Sequence, residues 1–490
     1  MSANSDDRPD TKQDPAIVWF RNDLRLDDNP ALVAAVESGR EVIALYVHDT
    51  LSPDMRSPGG AKLWWLHHAL DSLAKSLAGK GARLHFRRGA AADILRELVS
   101  QTGAGSVFWN RRYDPAGIAV DAGIKAELKD SGIDCRSFDG FLLHEPTRLK
   151  TGAGDPYKVY TPFWKAFRAS GEPRAPLDIP AAINGYTGDV DSDALADWGF
   201  LPTMPDWAGG IAAEWTPGEA GAHARLEAFL DGASKGYRDG RDRPDRMSTS
   251  KLSPHLAAGE ISPHRIWAEA VKRAGHVPER DLEHFLKEVA WREFSWHLLF
   301  HFPDLPTANF NRSFDAFPWT GNDNALQAWQ RGLTGYPIVD AGMRQLWRTG
   351  WMHNRVRMIV GSFLIKDMMI DWRQGEAWFW DTLVDADPAS NAASWQWVAG
   401  SGADAAPYFR IFNPVLQSEK FDPEGDYVRA FVPELAKLDS RFIHKPWEAP
   451  KEALRKAGVV LGESYPAPIV DHSTARYRAL EAWQELRRAA

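Results

Sequence analysis

Short apolar runs alternate with helical patterns over the first 145 residues, and this rhythm limits the fold more than any other feature. The runs are AIVWF, EVIALYVHD, ARLHFRRG, GSVFWNRRY and GIDCRSFDG. The segments between them have the apolar spacing of helices and mostly end at glycine. A strand–helix–strand series favours parallel strands joined by right-handed crossovers. The sequence therefore predicts an α/β domain over residues 15–145, built on a doubly wound parallel five-stranded sheet.

The turn after the first strand departs from a common nucleotide-binding pattern. Dinucleotide-binding folds carry GxGxxG at this point, because glycines let the backbone approach the pyrophosphate. Here the chain reads FRNDLRLDDNP instead. The domain is therefore predicted to have a nucleotide-binding shape without the phosphate-binding turn.

The rhythm changes twice after this domain. Residues 146–215 are rich in proline and glycine and predict an interdomain connector that lies over a surface. From residue 216 the strand-like runs disappear and helical periodicity dominates, for example in DLEHFLKEVAWREFSWHLLF. Residues 216–490 are therefore predicted to be all-α, and a helical bundle can enclose a ligand cavity.

Cysteine usage and the N-terminus bear on the compartment. The lone Cys135 excludes an internal disulfide and any metal site or iron–sulfur cluster built from four cysteines, and we predict no metal site. Residues 1–14 are polar and charged, without the apolar core of a signal peptide or membrane anchor, and predict a disordered tail. We expect a cytoplasmic protein with no membrane partner.

The net charge and the tryptophan content bear differently on whether the protein binds a nucleic acid or another aromatic ligand. The net charge of −8 argues weakly against a nucleic-acid partner, because phosphate binding needs clustered Lys and Arg, although a local basic surface could override it. The 22 tryptophans require either a very aromatic core or a π-bearing ligand. Most of them are expected in the core.

The helix pattern EVAWREF brings three functional groups together. Glu288, Trp291 and Arg292 stand at i, i+3 and i+4, so a carboxylate, an indole and a guanidinium share one face. An amphipathic helix with a core tryptophan and solvated charges gives the same pattern, and periodicity alone favours that alternative.

A second helix pattern, WMHNRVRM, places methionine beside arginines. Asn354, Arg357 and Met358 fall on one face at i, i+3 and i+4, while Arg355 is expected to point elsewhere. A solvated helix face rarely combines these residue types, yet an ordinary surface helix stays an equal alternative.

One loop is locally basic in this acidic protein. Residues 235–251 carry six Lys and Arg side chains against three aspartates. The segment STSKLSP places hydroxyls and backbone N–H groups directly before a helix, an arrangement that receives phosphate oxygens. The alternative is a helix N-cap without a ligand, and the neighbouring arginines weaken that alternative.

The stretch DTLVDADPASNAASWQWVAG, residues 381–400, concentrates functional groups among small residues. These groups are two carboxylates, an amide and two indoles: Asp385, Asp387, Asn391, Trp395 and Trp397. Asp385 could neutralise a buried Arg357, because an unpaired buried charge is costly. The two indoles are two residues apart and should face different directions on a helix. Small residues let the backbone approach something flat, so we expect a bound ligand here.

These stretches resemble the motifs of the cryptochrome/photolyase family. WFRNDLRLDDNPAL is similar to the first strand and turn of DNA photolyases, and TGYPIVDAGMRQLWRTGWMHNRVRMIVGSFLIKD followed by DPASNAASWQWVAGSGADAAPYFRIFNP resembles their flavin domain. The likeness covers residues 16–445. Within the family it favours bacterial enzymes for cyclobutane pyrimidine dimers, in the class III branch close to plant cryptochromes.

The resemblance implies that the helical domain binds FAD, fully reduced in the active form. It implies that Arg357 and Asp385 pair beside the isoalloxazine and that Asn391 faces flavin N5. Plant cryptochromes typically have Asp at that position, so Asn391 favours repair over signalling. The implied cofactor-binding residues are Tyr237, Thr249, Ser250, Lys251, Leu252, Ser253, Arg292, Arg357, Asp385, Asp387 and Asn391.

The resemblance also implies roles for the aromatic residues. Trp395, Trp372 and Trp319 match a chain of tryptophans that carries electrons from the surface to the flavin. Glu288 would hydrogen-bond the flipped-out dimer and stabilise its radical anion, while Arg410 and Arg355 would hold DNA phosphates. The implied substrate residues are Glu288, Trp291, Asn354, Arg355, Met358, Trp397 and Arg410; the implied catalytic residues are Glu288, Asn391, Trp395, Trp372 and Trp319.

The function implied is light-driven repair of cyclobutane dimers in single- or double-stranded UV-damaged DNA, by a monomer. Asn354 and Met358 stand where enzymes for (6-4) photoproducts have histidines, which argues against that chemistry. The class III likeness favours methenyltetrahydrofolate as an antenna, although NRRYDPAGIAVD lacks the Asn-Glu pair of the best-known folate binders. The alternative is a blue-light receptor without repair activity, which the short C-terminal tail disfavours.

Overall fold

The computed structural model describes residues 13–405 and 409–489. The predicted disordered tail, residues 1–14, lies outside the described residues except for its last two positions. None of the described helices combines the length and the apolar character that crossing a membrane requires.

The first half contains the predicted five-stranded sheet. Every strand pair is parallel, in the order β3-β2-β1-β4-β5. The strands are β1 Ala16–Phe20, β2 Val42–Asp49, β3 Leu84–Gly89, β4 Ser106–Asn110 and β5 Asp134–Phe138. The order reverses between β1 and β4, so the sheet is doubly wound as predicted.

Helices on both faces bury this sheet. Val18 faces one apolar cluster and Ile17 and Trp19 face the other, so alternate side chains of β1 are buried on both sides. This double burial explains why the strands read as continuous apolar runs. The crossover helices are α1 Pro30–Glu37, α2 Gly60–Ala78, α3 Ala91–Thr102 and α4 Pro115–Asp130.

The turn that replaces GxGxxG binds the helical half of the chain. Arg25 is buried and donates to the carbonyl oxygens of Asp28, Gly140 and Gly259. Gly259 has a φ of +71°, and an added Cβ would stand 1.9 Å from the carbonyl oxygen of Asn22. The two halves therefore meet at a backbone contact that leaves no room for a side chain.

The connector is more ordered than its composition predicts. It contains α5 Tyr160–Ala169, a 3-10 turn at Leu195–Trp198 and α6 Gly209–Glu214. Phe163 and Phe167 of α5 are buried in the same apolar cluster as α11 Glu279–His301. The expectation that this region only lies over a surface is therefore wrong for α5, because its aromatic residues recur at helical spacing.

The second half is all-α, as predicted, since no β-strand occurs among its described residues. A π-helical turn, Phe363–Asp367, continues α14. Besides α11, the helices are α7 Glu219–Asp231, α8 Tyr237–Gly240, α9 Ser253–Ala258, α10 Pro263–Lys272, α12 Asp323–Gln330, α13 Pro337–Thr349, α14 Asn354–Ser362, α15 Trp372–Thr382, α16 Pro388–Ala399, α17 Pro414–Phe421, α18 Asp426–Phe431, α19 Ser440–Ile443, α20 Lys451–Ala457 and α21 His472–Ala489.

Candidate flavin and substrate cavity

A cavity of about 710 Å³ lies among the helices of the second half. Helices α11, α14 and α16 and the loop before α9 supply most of its wall. The predicted site residues that line it are Tyr237, Ser250, Leu252, Ser253, Glu288, Trp291, Arg292, Asn354, Arg355, Arg357, Met358, Asp385, Asp387, Asn391, Trp395, Trp397 and Arg410. Such a volume is typical of a cavity for a cofactor or a small ligand.

Four predicted site residues do not line this cavity: Thr249, Lys251, Trp319 and Trp372. The backbone of Lys251 is left-handed, with a φ of +50°, and its Nζ donates to Glu214 at 2.6 Å. The ammonium therefore points away from the cavity, so Lys251 could contribute to a ligand there only through its backbone.

The ion pair between Arg357 and Asp385 lies in the wall of the cavity. Arg357 Nη2 donates to Asp385 Oδ2 at 2.8 Å, and Ser253 Oγ donates to the same oxygen at 2.6 Å. Trp351 Nε1 in turn donates to Ser253 Oγ at 3.2 Å. The Ser253 hydroxyl does not cap α9, because the N-cap position belongs to Leu252, which makes no side-chain cap.

Three polar atoms beside the cavity are buried and have no hydrogen-bond partner in the part of the chain that the structure describes: Asp385 Oδ1, Arg292 Nε and Arg355 Nε. Buried polar atoms of this kind are almost always satisfied in native proteins, by protein groups, water or a ligand. One carboxylate acceptor and two guanidinium donors therefore fit a polar ligand such as a dinucleotide.

Asp387 fixes the start of α16. Its Oδ1 accepts from the backbone N–H groups of Ala389 and Ser390, at 3.1 and 2.7 Å, and its Oδ2 accepts from Trp296 Nε1. This N-cap satisfies the first amide groups of the helix. Ala386 and Ser390 line the cavity, so small residues do provide space at this point.

Asn391 is held by Glu376, which does not itself line the cavity. Its Nδ2 donates to Glu376 twice, to Oε1 at 2.8 Å and to the backbone carbonyl at 3.1 Å. Glu376 is a buried residue that the sequence patterns did not single out. Its helix, α15, carries no motif that would have indicated a polar role.

The loop at residues 235–251 is less basic than its composition suggests. Arg241 forms a short ion pair with Glu288, and Arg243 forms another with Asp245. Burial raises the pKa of the Glu288 carboxyl, although the paired guanidinium opposes this shift. Arg241 also lines the cavity, so we add it to the candidate site.

Arg355 does not point away from the other residues of α14, contrary to the helix-face prediction. It lines the cavity with Asn354, Arg357 and Met358, and its Nη2 donates to Asp242 at 2.8 Å. The residue lies in the first turn of the helix, so its long side chain can reach around the helix end.

Two aromatic contacts involve residues of the cavity wall, Trp291 and Trp397. The ring of Trp291 lies parallel to that of Tyr160, with 3.6 Å between centroids. The guanidinium of Arg410 lies 5.0 Å from the ring of Trp397. Tyr160 belongs to the connector, and sequence reasoning did not predict its contact with the site.

The tryptophans of the predicted electron path differ in exposure. Trp395 lines the cavity and is buried, Trp372 is completely buried, and Trp319 is partly buried. Trp372 Nε1 donates to Asn309 Oδ1 at 2.9 Å.

The fold and the cavity together define a protein with a doubly wound α/β half and a helical half suited to a dinucleotide cofactor. Comparison with known proteins narrows this class. A family model described as DNA photolyase matches residues 16–181, and one described as the FAD binding domain of DNA photolyase matches residues 285–485.

Two curated relatives cover nearly the whole chain. The deoxyribodipyrimidine photo-lyase of Agrobacterium fabrum is 59% identical over 97% of this chain and 99% of its own length. Cryptochrome-1 of Arabidopsis thaliana is 38% identical over 96% of this chain and 70% of its own length. The crystal structure of a bacterial class III photolyase from Agrobacterium tumefaciens superposes with a TM-score of 0.96 at 58% identity, covering 99% of this chain and all of that one.

The chain therefore belongs to the DNA photolyase/cryptochrome family. It carries the family's FAD-binding domain, and FAD is its cofactor.

Proposed function

We propose that this protein is a light-driven enzyme that repairs cyclobutane pyrimidine dimers in DNA. The observation that carries this proposal is that the Arg357–Asp385 pair and the Asn391 amide line the same cavity as Glu288 and Trp291. Deoxyribodipyrimidine photo-lyase, the activity named for the relative at 59% identity, supports the same assignment.

The FAD would be held by residues of the cavity wall and the loop before α9. Arg357, Asp385 and Asn391 would bind the isoalloxazine, and the loop of residues 249–253 would meet the phosphates with hydroxyls and backbone N–H groups. Tyr237, Arg292 and Asp387 would complete the site. When bound and reduced, FAD supplies on excitation the electron that splits the dimer and then takes it back.

The substrate would occupy the outer part of the cavity. Repair requires the dimer to leave the helical stack, which costs a few kcal/mol and least for damaged bases. Trp291 and Trp397 offer surfaces for stacking, Asn354 and Met358 offer contacts, and Glu288 can hydrogen-bond the bases. Arg355 and Arg410 would hold the phosphates on either side of the dimer.

A tryptophan path would restore the reduced cofactor. Trp395 lies at the cavity, and Trp372 and Trp319 would continue the path toward the surface. Buried and partly buried indoles in this order support the assignment.

We further propose a monomer that is cytoplasmic and acts on single- or double-stranded DNA, with methenyltetrahydrofolate as its antenna. The cleft at the carboxyl ends of β1 and β4, which includes Asn110 and Tyr113, measures only about 10 Å³. Arg21 and Arg112 fill it by pairing with Asp121. The folate proposal therefore names no residues; a folate absorption band in the purified protein would support it, and a purely flavin spectrum would contradict it.

A light-dependent assay tests the main proposal. The reduced holoprotein is illuminated with dimer-containing oligonucleotides, and the recovery of thymine absorbance is followed against a dark sample. We expect recovery only in the light. FAD-loaded protein that shows no recovery would instead support the blue-light receptor alternative.

A further inference from the structure

A chain of hydrogen bonds joins the surface of the α/β half to the cavity wall. Arg56, in the loop between β2 and α2, donates to both carboxylate oxygens of Glu376, at 2.7 and 2.9 Å. Glu376 lies in α15 and accepts from Asn391 Nδ2 in α16 at 2.8 Å. Three elements of the fold are thus connected through polar side chains alone.

This chain fixes the orientation of the Asn391 amide. Nδ2 faces the carboxylate and the backbone carbonyl of Glu376, and both groups are pure acceptors. An amide that was turned over would place Oδ1 against them and lose both hydrogen bonds. Oδ1 is therefore the group that Asn391 leaves available to a ligand in the cavity.

Arg56 stabilises the hydrogen bonds between Glu376 and Asn391 by pairing with the Glu376 carboxylate. Glu376 is only 4% exposed, and a buried carboxylate without a cationic partner is costly. Without the two hydrogen bonds from Arg56, the carboxylate could turn toward water and away from Asn391, and the amide would lose an acceptor that fixes its orientation. The guanidinium is itself held by the Trp380 ring, 3.9 Å from its centroid, and Trp380 Nε1 donates to the Ser57 carbonyl at 2.9 Å.

We propose that Arg56 is a positioning residue that acts through Glu376, fixing Asn391 with Oδ1 as an acceptor for the proton on flavin N5. The inference rests on the proposed function, because it takes Asn391 to face that atom. Its consequence is that a residue on the surface of the other half of the chain slows loss of the reduced cofactor in the dark.

The variant Arg56→Met tests this role without touching the cavity. We expect dark re-oxidation of the photoreduced protein to be about tenfold faster, the scale of one weakened hydrogen bond. If the equilibrium constant for reduction of the bound flavin falls by the same factor of about ten, its two-electron midpoint potential falls by about 30 mV. Flavin content per protein should stay unchanged.

Arg265→Met is the matched control. Arg265 donates to both oxygens of Asp27, at 2.8 and 2.7 Å, so it joins the same two halves of the chain without a link to Asn391. We expect Arg265→Met to lower the Tm without changing the potential or the re-oxidation rate. An equal change in both variants would show general loosening and overturn the positioning role.

Arg56→Lys keeps the charge but loses the two-point contact, and it decides the question if Arg56→Met does not fold. We expect an intermediate effect of about threefold, because one of two charge-assisted hydrogen bonds stays. Wild-type rates and potentials in both variants would refute the role of Arg56 alone. A wild-type protein that binds no flavin, or that binds it and repairs nothing, would refute the proposed function instead.

Discussion

At the residue scale, the Asp385 carboxylate is a buried charge of the cavity wall that is paired on only one of its two oxygens among the described residues. Its Oδ2 accepts from both Arg357 and Ser253, while Oδ1 is buried and has no partner among the described residues. The guanidinium compensates the carboxylate, so the pair can stay buried beside a polar ligand. Asp385 Oδ1 is then an acceptor that a ligand N–H group could satisfy.

Trp372 allows the electron path to be tested apart from repair. Replacement by Phe keeps an aromatic core residue but removes the indole and its hydrogen bond to Asn309. We expect Trp372→Phe to lose most of the light-driven reduction of oxidised flavin, measured at the oxidised-flavin absorption band. Repair by chemically prereduced protein should stay largely intact, because the proposed path would serve only to restore the reduced cofactor.

Trp267→Phe is a suitable control for this experiment. Trp267 is likewise buried, and its Nε1 donates to Glu172 at 2.8 Å, but it lies outside the proposed path. It should behave like the wild-type protein in both assays. If Trp372→Phe instead lost repair by prereduced protein as well, the assignment of the path would be wrong.

At the element scale, α14 begins at a histidine whose protonation state matters. His353 is the N-cap, and its Nδ1 accepts from the backbone N–H of Arg355 at 3.2 Å. Burial is the main cause that lowers the pKa of His353 to about 4; Arg355, Arg241 and Arg357 lower it further, and Asp242 opposes them. The cap therefore requires the neutral ring.

This pKa predicts a loss of stability in mild acid. The folded-state pKa of His353 lies below its ordinary value of 6.5, so its contribution is complete above pH 6.5 and declines as the pH falls toward 4. The difference between the pKa of 6.5 and the folded-state pKa of about 4 corresponds to a loss of free energy of unfolding on the order of 3 kcal/mol. Denaturant unfolding at several pH values measures it as a falling free energy of unfolding.

His353→Asn isolates the contribution of this residue from those of other buried histidines, such as His264 and His297. Asparagine can cap the helix but does not titrate. We expect the variant to show a flatter dependence of stability on pH than the wild type between pH 4 and 6.5. Parallel pH curves for the two proteins would contradict the prediction.

At the scale of the whole molecule, the connector contributes directly to the candidate site. Tyr160 of α5 stacks on Trp291 of α11, with the rings 7° from parallel, and its hydroxyl donates to the Lys287 carbonyl at 2.7 Å. The connector thereby fixes an aromatic ring that lines the cavity. The position of the Trp291 ring therefore depends on a connector residue that is distant from it in the sequence.

Tyr160→Ala should weaken the binding of dimer-containing DNA. Aromatic pairs contribute about 0.5–1.5 kcal/mol beyond their buried area, so we expect a Kd roughly 2- to 13-fold higher. Fluorescence anisotropy with a dimer-containing oligonucleotide measures this change. Tyr160→Phe keeps the stacked ring and loses only the hydroxyl, so its Kd should stay close to that of the wild type; equal losses in both variants would exclude stacking as the cause.

The segment that replaces the phosphate-binding turn contributes to the contact between the two halves of the chain. FRNDLRLDDNP joins the two halves of the chain through Arg25 and through the Asp27–Arg265 pair. Arg21 and Asp23 of the same stretch bond instead to Asp121 and Asn110 of the α/β half. Part of the sheet edge that binds nucleotides in other doubly wound folds therefore serves here as an interface. The boundaries assigned to the domains, 15–145 and 216–490, stay predictions.

The amino-acid sequence by itself determined the five strands, the helical character of the second half and the family. Apolar periodicity within β1 to β5 and within the helices depends only on local geometry. The match of long motifs such as DPASNAASWQWVAG can be recognised in the sequence before the fold is known. The tertiary structure alone decided which distant residues meet. Glu376 and Arg56 are 320 positions apart, and Tyr160 and Trp291 more than a hundred. Periodicity reports which face of one element is buried, whereas these contacts depend on how separate elements pack against each other.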